Sequence, residues 1–213
     1  MRAKKKRKHK GDLRDEILSA AKKLFLAHGY LNTSMRKIAA KVGISPTTIY
    51  LYYRDKADVI HALHQEGFKI LAEQFKILEN VEHPFERLKA MGRCYINFAL
   101  GNRDFYELMF IMQEPLMHLE KQQASERSSG WKEGEGAFKA LLDVIKDCQK
   151  EGYFEGYHTA ELALLLWANL HGLCALKNNG HLDLLTRAME EELPVSNVLY
   201  KSFELYVQIL QKG

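Results

Sequence analysis

Two threonines, Thr47 and Thr48, stand side by side directly after a serine and a proline, Ser45 and Pro46. Their short hydroxyl side chains can hydrogen-bond to base edges or to phosphate oxygens, and the Pro46 ring can contact a thymine methyl group. A serine before a proline is also a typical helix start, because the serine caps free N–H groups and proline at the first helical position needs no N–H partner. The pattern therefore predicts a helix whose first turn carries groups suited to DNA.

The positive charge of the chain is concentrated in the same part of the sequence. Residues 1–56 hold 15 Lys and Arg against four Asp and Glu, a formal charge of +11, whereas residues 57–213 hold 16 against 23, or −7. Seven of the cations lie in residues 1–10, which contain no acid and no apolar residue that could anchor them. We expect a disordered basic tail at 1–10 and a polyanionic partner for the N-terminal part.

The overall composition favours a soluble protein made only of helices. With 46% hydrophobic and 27% charged residues, the chain can build a core. Its four prolines in 213 residues favour a helical protein. Cys94, Cys148 and Cys174 are odd in number and widely spaced, which fits a reducing cytoplasm better than disulfides or a zinc module. We find no apolar stretch long enough to span a bilayer, and the basic start does not lead into the apolar run of a signal peptide.

Capping residues and apolar spacing predict the elements that position these side chains. Gly43 separates two short helices, and this arrangement indicates a helix-turn-helix. We expect a tail at 1–10, a DNA-binding domain at 11–56 and a second domain at 57–213. The predicted helices lie at about 12–28, 34–42, 45–52, 55–78, 84–100, 104–112, 131–149, 159–177 and 194–210.

The segment from Ile17 to Ile60 resembles the DNA-binding domain of the TetR family of transcriptional regulators. One departure is Thr47, where many members carry Gly. The resemblance implies a three-helix head joined by a long helix to a C-terminal helical bundle of the TetR type, about nine helices in all. The matching residues are Ala21, Phe25, Gly29, Tyr30, Thr33, Ile38, Ala39, Gly43, Ile44, Ser45, Ile49, Tyr50, Tyr52, Tyr53 and Lys56.

The same resemblance implies roles for individual residues. It places Tyr50, Tyr52 and Lys56 at or near the phosphates, and Ser34 and Arg36 at the start of the preceding helix are similarly placed. The alternatives are that the two tyrosines only pack within the head and that Arg36 is only a solvated surface charge. The basic tail could be a nuclear localisation signal or inert, but we favour a flexible arm that lies along DNA, because the family is mainly prokaryotic. The predicted DNA-binding residues are Ser34, Arg36, Ser45, Pro46, Thr47, Thr48, Tyr50, Tyr52 and Lys56.

The C-terminal half predicts a dimer and a ligand pocket. The helices near 160–177 and 195–210 are apolar almost all round, so a second copy of the chain is the simplest cover, and the family forms such two-fold homodimers. The methionine and aromatic side chains of this half suit a ligand pocket as well as an ordinary core. His171 can bond a ligand or a neighbour inside the bundle, and the stretch from Trp167 to Leu173 resembles the Trp/His-Gly signature of one family subgroup. The predicted pocket residues are Tyr95, Phe98, Tyr106, Met109, Phe110, Met112, Met117, Trp167 and His171.

These features together predict a cytoplasmic, ligand-responsive repressor that leaves a pseudo-palindromic operator when a small apolar or aromatic effector binds. We expect no catalytic residue, no cofactor and no metal, because no phosphate loop, zinc spacing or nucleophile elbow is present. His61 and His64 lie three apart but lack a third metal ligand. An architectural DNA-binding protein without an effector is the alternative, and an enzyme built on the helical body is a more distant one.

Overall fold

The computed structural model of the chain describes residues 10–115, 117, 132–189 and 197–212. Every regular element in these ranges is helical, which confirms the predicted all-α fold. The basic tail lies outside the described residues except for Lys10, which begins the first helix. The polar stretch 118–130, which the sequence predicts to be a loop, also lies outside them.

Ten α-helices make up the described parts of the chain, one more than predicted. A short 3-10 helix, Leu78–Asn80, follows the fourth helix, and a π-helical stretch, Glu107–Ile111, follows the sixth. The helices are α1 Lys10–His28, α2 Met35–Val42, α3 Pro46–Ile49, α4 Lys56–Ile77, α5 Pro84–Gly101, α6 Arg103–Tyr106, α7 Lys132–Lys150, α8 Thr159–Asn178, α9 His181–Ala188 and α10 Val198–Lys212.

The helices form two compact units, and the division falls within α4. The first unit contains the described residues up to Gly67 together with 107–115 and 117, and the second contains 68–106, 132–189 and 197–212. The predicted domain boundary between residues 56 and 57 stays a prediction. We refer to α1, α2 and α3, with the turn that follows α3, as the head.

The head has its own apolar core. Ile17 and Phe25 of α1, Ile38 of α2 and Ile49 of α3 are all fully or almost fully buried. Ala39 is also fully buried, and its small side chain lets helices cross closely. Burial of this set stabilises the head by the removal of apolar surface from water, which is worth roughly 1.5–3 kcal/mol for each large side chain.

In the second unit, α5 is the central helix, because α7, α8 and α10 all contact it. It approaches α10 closely at Gly92, where a Cβ atom would lie 2.0 Å from Cζ of Phe203. The glycine is therefore required by a close approach of two helices rather than by its backbone conformation. Arg93 and Glu204 join the same two helices through a hydrogen-bonded ion pair of 2.6 Å.

Two predicted helices differ from the structure, and one observed helix was not predicted. The helix predicted at 104–112 is α-helical only over Arg103–Tyr106 and π-helical over Glu107–Ile111. The helix predicted at 45–52 is regular only over Pro46–Ile49 and continues as a turn, in which Tyr52 N–H donates to the Ile49 carbonyl. The sequence analysis missed α9, which begins directly after Gly180, a glycine with a positive φ of 79°. The predicted start of the last helix at Pro194 lies outside the described residues.

Contrary to the sequence analysis, helix α8 has the length and composition of a membrane-spanning helix, and it is the one such helix in the described part of the chain. Only 28% of its most apolar window is buried. Its uncovered side chains include Leu164 and Leu165, and α9 and α10 also expose large apolar side chains, such as Leu184 and Leu205. The exposed apolar surface is therefore spread over three consecutive helices.

Candidate nucleic-acid interface

Local caps fix both ends of α2 and the start of α3. Ser34 precedes α2, and its hydroxyl accepts a hydrogen bond of 3.3 Å from Lys37 N–H. Gly43 ends α2 in the left-handed conformation with φ of 77°, which glycine adopts without strain. Ser45 then caps α3 by accepting from Thr48 N–H at 3.0 Å, and Pro46 occupies the first turn. The helix-turn-helix follows from these local interactions.

The predicted DNA-binding residues lie mostly at the surface of the head. Ser34, Arg36, Ser45, Pro46 and Thr47 are exposed. Thr48 is half-buried, and its hydroxyl lies 2.8 Å from that of Ser45, so these two side chains are engaged with one another in the cap.

Three tyrosines near the end of α3 have different environments. Tyr50 is 54% exposed, whereas Tyr53 is 1% exposed. Arg14 Nε donates to the Tyr53 hydroxyl at 3.2 Å, and the guanidinium carbon lies 4.9 Å from the ring centroid. Tyr52 is half-buried. Tyr53 therefore belongs to the core of the head, and Tyr50 presents its ring and hydroxyl to an outside partner.

Lys56, at the first position of α4, is held inside the first unit. Its Nζ donates to the carbonyls of Tyr30 at 2.5 Å and Thr33 at 2.8 Å, and it lies 4.1 Å from the centroid of the Tyr30 ring. Burial lowers the pKa of Lys56, and the nearby carboxylate of Glu114 opposes that shift. The side chain joins α4 to the loop between α1 and α2, a role that the sequence analysis does not predict.

The sequence analysis also misses two exposed leucines in the head. Leu51 is 76% exposed between Tyr50 and Tyr52, and Leu31 is 85% exposed in the loop after α1. Single exposed apolar side chains are common on protein surfaces, so exposure alone assigns neither leucine a partner. Leu51 lies directly between the predicted contact residues Tyr50 and Tyr52, whereas Leu31 lies three residues before Ser34.

Four of the predicted pocket residues form a hydrogen-bonded cluster in the second unit. The Tyr106 hydroxyl lies 2.9 Å from His171 Nδ1 and donates to the His171 carbonyl at 3.1 Å. The Tyr95 hydroxyl lies 3.3 Å from the same Nδ1 and accepts from Trp167 Nε1 at 3.4 Å. Burial lowers the pKa of His171 and raises that of Tyr95 well above its ordinary value. The His171 ring is thus bonded within the protein.

The other predicted pocket residues are divided between the two units. Phe98 is buried on α5 in the second unit. In the first unit, Met109 is buried, Phe110 and Met112 are half-buried and Met117 is 52% exposed. Whether these side chains line a pocket stays a prediction. The described residues contain no group of three or more His, Cys, Asp or Glu side chains arranged to hold a metal ion.

A cleft of about 400 Å³ lies elsewhere in the second unit, against α4, α5 and α7. Its apolar lining includes Phe75, Met91 and Val144, and none of the predicted pocket residues borders it. The sequence analysis did not find this cleft, because its existence depends on how three helices pack.

The sequence matches two family models that follow one another along the chain. Residues 17–63 match the model of bacterial regulatory proteins of the TetR family, and residues 88–193 match a C-terminal domain described as similar to the tetracycline repressor. The chain belongs to the TetR family. The first match covers the helix-turn-helix of this TetR-family chain, and the second covers most of its second unit.

Individual relatives agree with this assignment. The TetR-family chain is 34% identical over 92 residues to the HTH-type transcriptional regulator HbdR of Aromatoleum sp., covering 43% of this chain and 40% of HbdR. It is 30% identical over 98 residues to an HTH-type transcriptional regulator of Staphylococcus aureus, covering 46% of this chain and 53% of that protein. The alignments thus span about half the length of the curated relatives.

The fold extends over nearly the whole chain. The fatty acid degradation regulator FadR from Bacillus halodurans superposes with a TM-score of 0.70 and covers 96% of this chain and 97% of its own. The sequence identity is 19%, so this similarity shows the fold alone.

Proposed function

We propose that this chain is a DNA-binding transcriptional regulator that acts in the cytoplasm as a homodimer and is released from its operator by a small molecule. The observation that carries the proposal is the capped helix-turn-helix with its polar side chains and Tyr50 exposed. The family assignment and the curated relatives, which are named as transcriptional regulators, support it.

On this proposal α3 enters the major groove, which admits one α-helix. Thr47 and Pro46 contact base edges or thymine methyl groups, and Thr48 adds a further polar group. Ser34, Arg36 and Tyr50 bind phosphates and so fix the register. Ser45 positions α3 through its cap, and Tyr52 and Lys56 border the backbone. Lys56 acts mainly through its charge, because two of its three N–H groups already bind carbonyls.

The exposed apolar face of the second unit supports the homodimer. Leu164 and Leu165 of α8, Leu184 and Leu185 of α9, and Leu205 of α10 are all about half exposed or more. A patch spread over three helices costs free energy in water, and a second copy that buries the same patch removes the cost symmetrically. Two heads in such a dimer can read half-sites about 34 Å apart, one DNA turn.

Release by an effector is the finer part of the proposal. A ligand that binds one arrangement of the dimer better than another shifts the population of DNA-competent molecules. The hydrogen-bonded cluster around His171 and the separate cleft both give the second unit places where a ligand could act. The assignment to the Trp/His-Gly subgroup, drawn from Trp167 and His171, is part of this proposal.

The direct test is DNA binding by the full-length chain. Labelled DNA from upstream of its own gene is titrated with protein at several salt concentrations. We expect salt-sensitive, saturable binding and a pseudo-palindromic footprint. Tyr50→Phe removes one phosphate contact and should weaken binding roughly tenfold for all sequences. Tyr157→Phe, at an exposed tyrosine of the second unit, is the matched control and should bind as the wild type does.

Failure to bind DNA upstream of its own or neighbouring genes at moderate salt would overturn the regulator proposal. A change of sequence preference in Tyr50→Phe would instead overturn only the phosphate assignment. The architectural alternative predicts tight DNA binding that no small molecule releases. A thermal-shift screen run beside the DNA assay separates the two, because a ligand that raises the melting temperature and releases DNA fits only the gated regulator.

A further inference from the structure

The cleft of the second unit has the size and lining of a small-molecule site. Its volume of about 400 Å³ lies within the range of known ligand pockets. Phe75 of α4, Met91 of α5 and Val144 of α7 supply apolar surface from three helices. Met91 and Val144 are themselves nearly fully buried, so the inner part of the cleft is formed by the core.

The acidic side chains that border the cleft are already neutralised. Asp143 pairs with Lys139 and with Lys146, the latter at 3.5 Å, and the hydrogen bond from Lys139 is the main cause that lowers the pKa of Asp143. Asp147 pairs with Lys150 at 2.8 Å. The exposed Lys76 and Glu79 carry opposite charges, which offset each other at the edge of the cleft.

Arg87 is different, because part of its guanidinium is buried without an acceptor. One terminal nitrogen lies 3.6 Å from Asp147, and the other donates to the Glu82 carbonyl at 3.4 Å. Both are long contacts for an arginine. The Nε atom is buried, and no acceptor in the described part of the chain lies within hydrogen-bond distance of it. Because the Nε atom is buried, a ligand in the cleft would meet the terminal nitrogens of Arg87, whose present acceptors are both distant.

We propose that the cleft binds an amphipathic monocarboxylate. Its carboxylate accepts from Arg87, and its aliphatic or aromatic part packs against Phe75, Met91 and Val144. A guanidinium suits a carboxylate because its charge is permanent and its N–H groups are arranged as a fork. The biological role as an effector site rests on the proposed regulatory function, but binding itself does not.

The test is calorimetric titration of the full-length protein with octanoate, with octan-1-ol as the uncharged ligand of equal length. We expect saturable binding of octanoate and much weaker binding of the alcohol. Arg87→Gln should weaken octanoate binding about 10- to 100-fold, the factor that corresponds to a charge-assisted hydrogen bond. Arg93→Gln is the matched control, since Arg93 lies on the same helix but pairs with Glu204. It should bind octanoate as the wild type does.

A second variant blocks the cleft without disturbing the core. Gly136 borders the cleft, and a Cβ added there meets no atom within 4 Å. Gly136→Leu therefore places its side chain in open space and favours the helix, since glycine is a poor helix former. It should remove octanoate binding and keep the wild-type circular dichroism spectrum. Gly101→Leu, at another open position outside the cleft, should bind normally.

Three results would overturn the inference: no saturable binding of octanoate, equal binding of the alcohol, or binding that neither Arg87→Gln nor Gly136→Leu reduces. DNA release is measured separately. If octanoate binds through Arg87 but leaves DNA bound, the carboxylate site is supported and effector release by such ligands is wrong. If the protein binds no DNA at all but octanoate binding depends on Arg87, the regulatory proposal fails and the site stands.

Discussion

His64 should make the protein lose stability between about pH 6.5 and pH 4. Its side chain is 1% exposed, and burial is the main reason that its pKa falls from 6.5 to about 4. The neighbouring His61 lowers the pKa further by like-charge repulsion, and a hydrogen bond with the Met109 backbone opposes the shift. The unfolded chain binds the proton at a higher pH than the folded chain does. Acid therefore favours unfolding in this window.

The size of the effect follows from the two pKa values. The full difference of 2.5 pKa units corresponds to roughly 3 kcal/mol once the pH is below both values. At pH 5 the loss relative to pH 8 is already about 2 kcal/mol, because the unfolded imidazole is almost fully protonated there and the folded one is not. That is a large share of the 5–15 kcal/mol typical of a folded domain.

Urea unfolding followed by far-UV circular dichroism at about pH 8 and pH 5 measures this difference. His64→Gln keeps a hydrogen-bond donor but cannot titrate, so it should lose about 2 kcal/mol less than the wild type between these pH values. His61→Gln removes the repulsion and should give an intermediate loss. His28→Gln, at an exposed histidine of the first unit, is the control. If His64→Gln keeps the wild-type pH dependence, the reasoning from its burial is wrong.

Three further predictions rest on single contacts. Gly92→Ala forces α5 away from Phe203 and should destabilise the protein by about 1–3 kcal/mol in urea unfolding, the usual cost of overpacking; an unchanged midpoint would contradict the close approach. Ser34→Ala loses the cap that accepts from Lys37 and should cost about 1 kcal/mol, read by the same method. Leu205→Glu places a charge on the exposed apolar face and should give monomers in analytical ultracentrifugation with an unchanged helical spectrum; a dimer that persists would place the interface elsewhere.

Elements whose ends are marked by local capping were predictable from the sequence. Ser34, Gly43 and Ser45 act within three or four residues of themselves, so their identities suffice to locate the ends of α2 and the start of α3. The end of α3 was not predictable, because the chain turns after Ile49 to bury Tyr53, which bonds Arg14 far away in the sequence. Helix α9 was missed because the residue before it is Gly180, which has no side chain to cap the helix start.

The candidate sites also have locally determined features that could be predicted and long-range contacts that could not. Exposure of Thr47 and Tyr50 follows from their spacing relative to the buried Ile49, and it could be predicted. The bonds of Lys56 to the Tyr30 and Thr33 carbonyls join residues more than 20 positions apart, and residue types alone do not indicate such contacts. The carboxylate cleft depends on the packing of three helices, so it needed the structure.

The two carbonyl bonds of Lys56 also have a consequence for protein engineering. They make the first residue of α4 part of the folded head, because the carbonyls of Tyr30 and Thr33 in the loop after α1 accept hydrogen bonds from it. A chimaeric regulator that takes a head from one relative and a body from another should therefore be joined after position 56, not before it. If the junction lies before position 56, the lysine must come from the second protein. The loop then loses two hydrogen bonds wherever that protein has no lysine at this position.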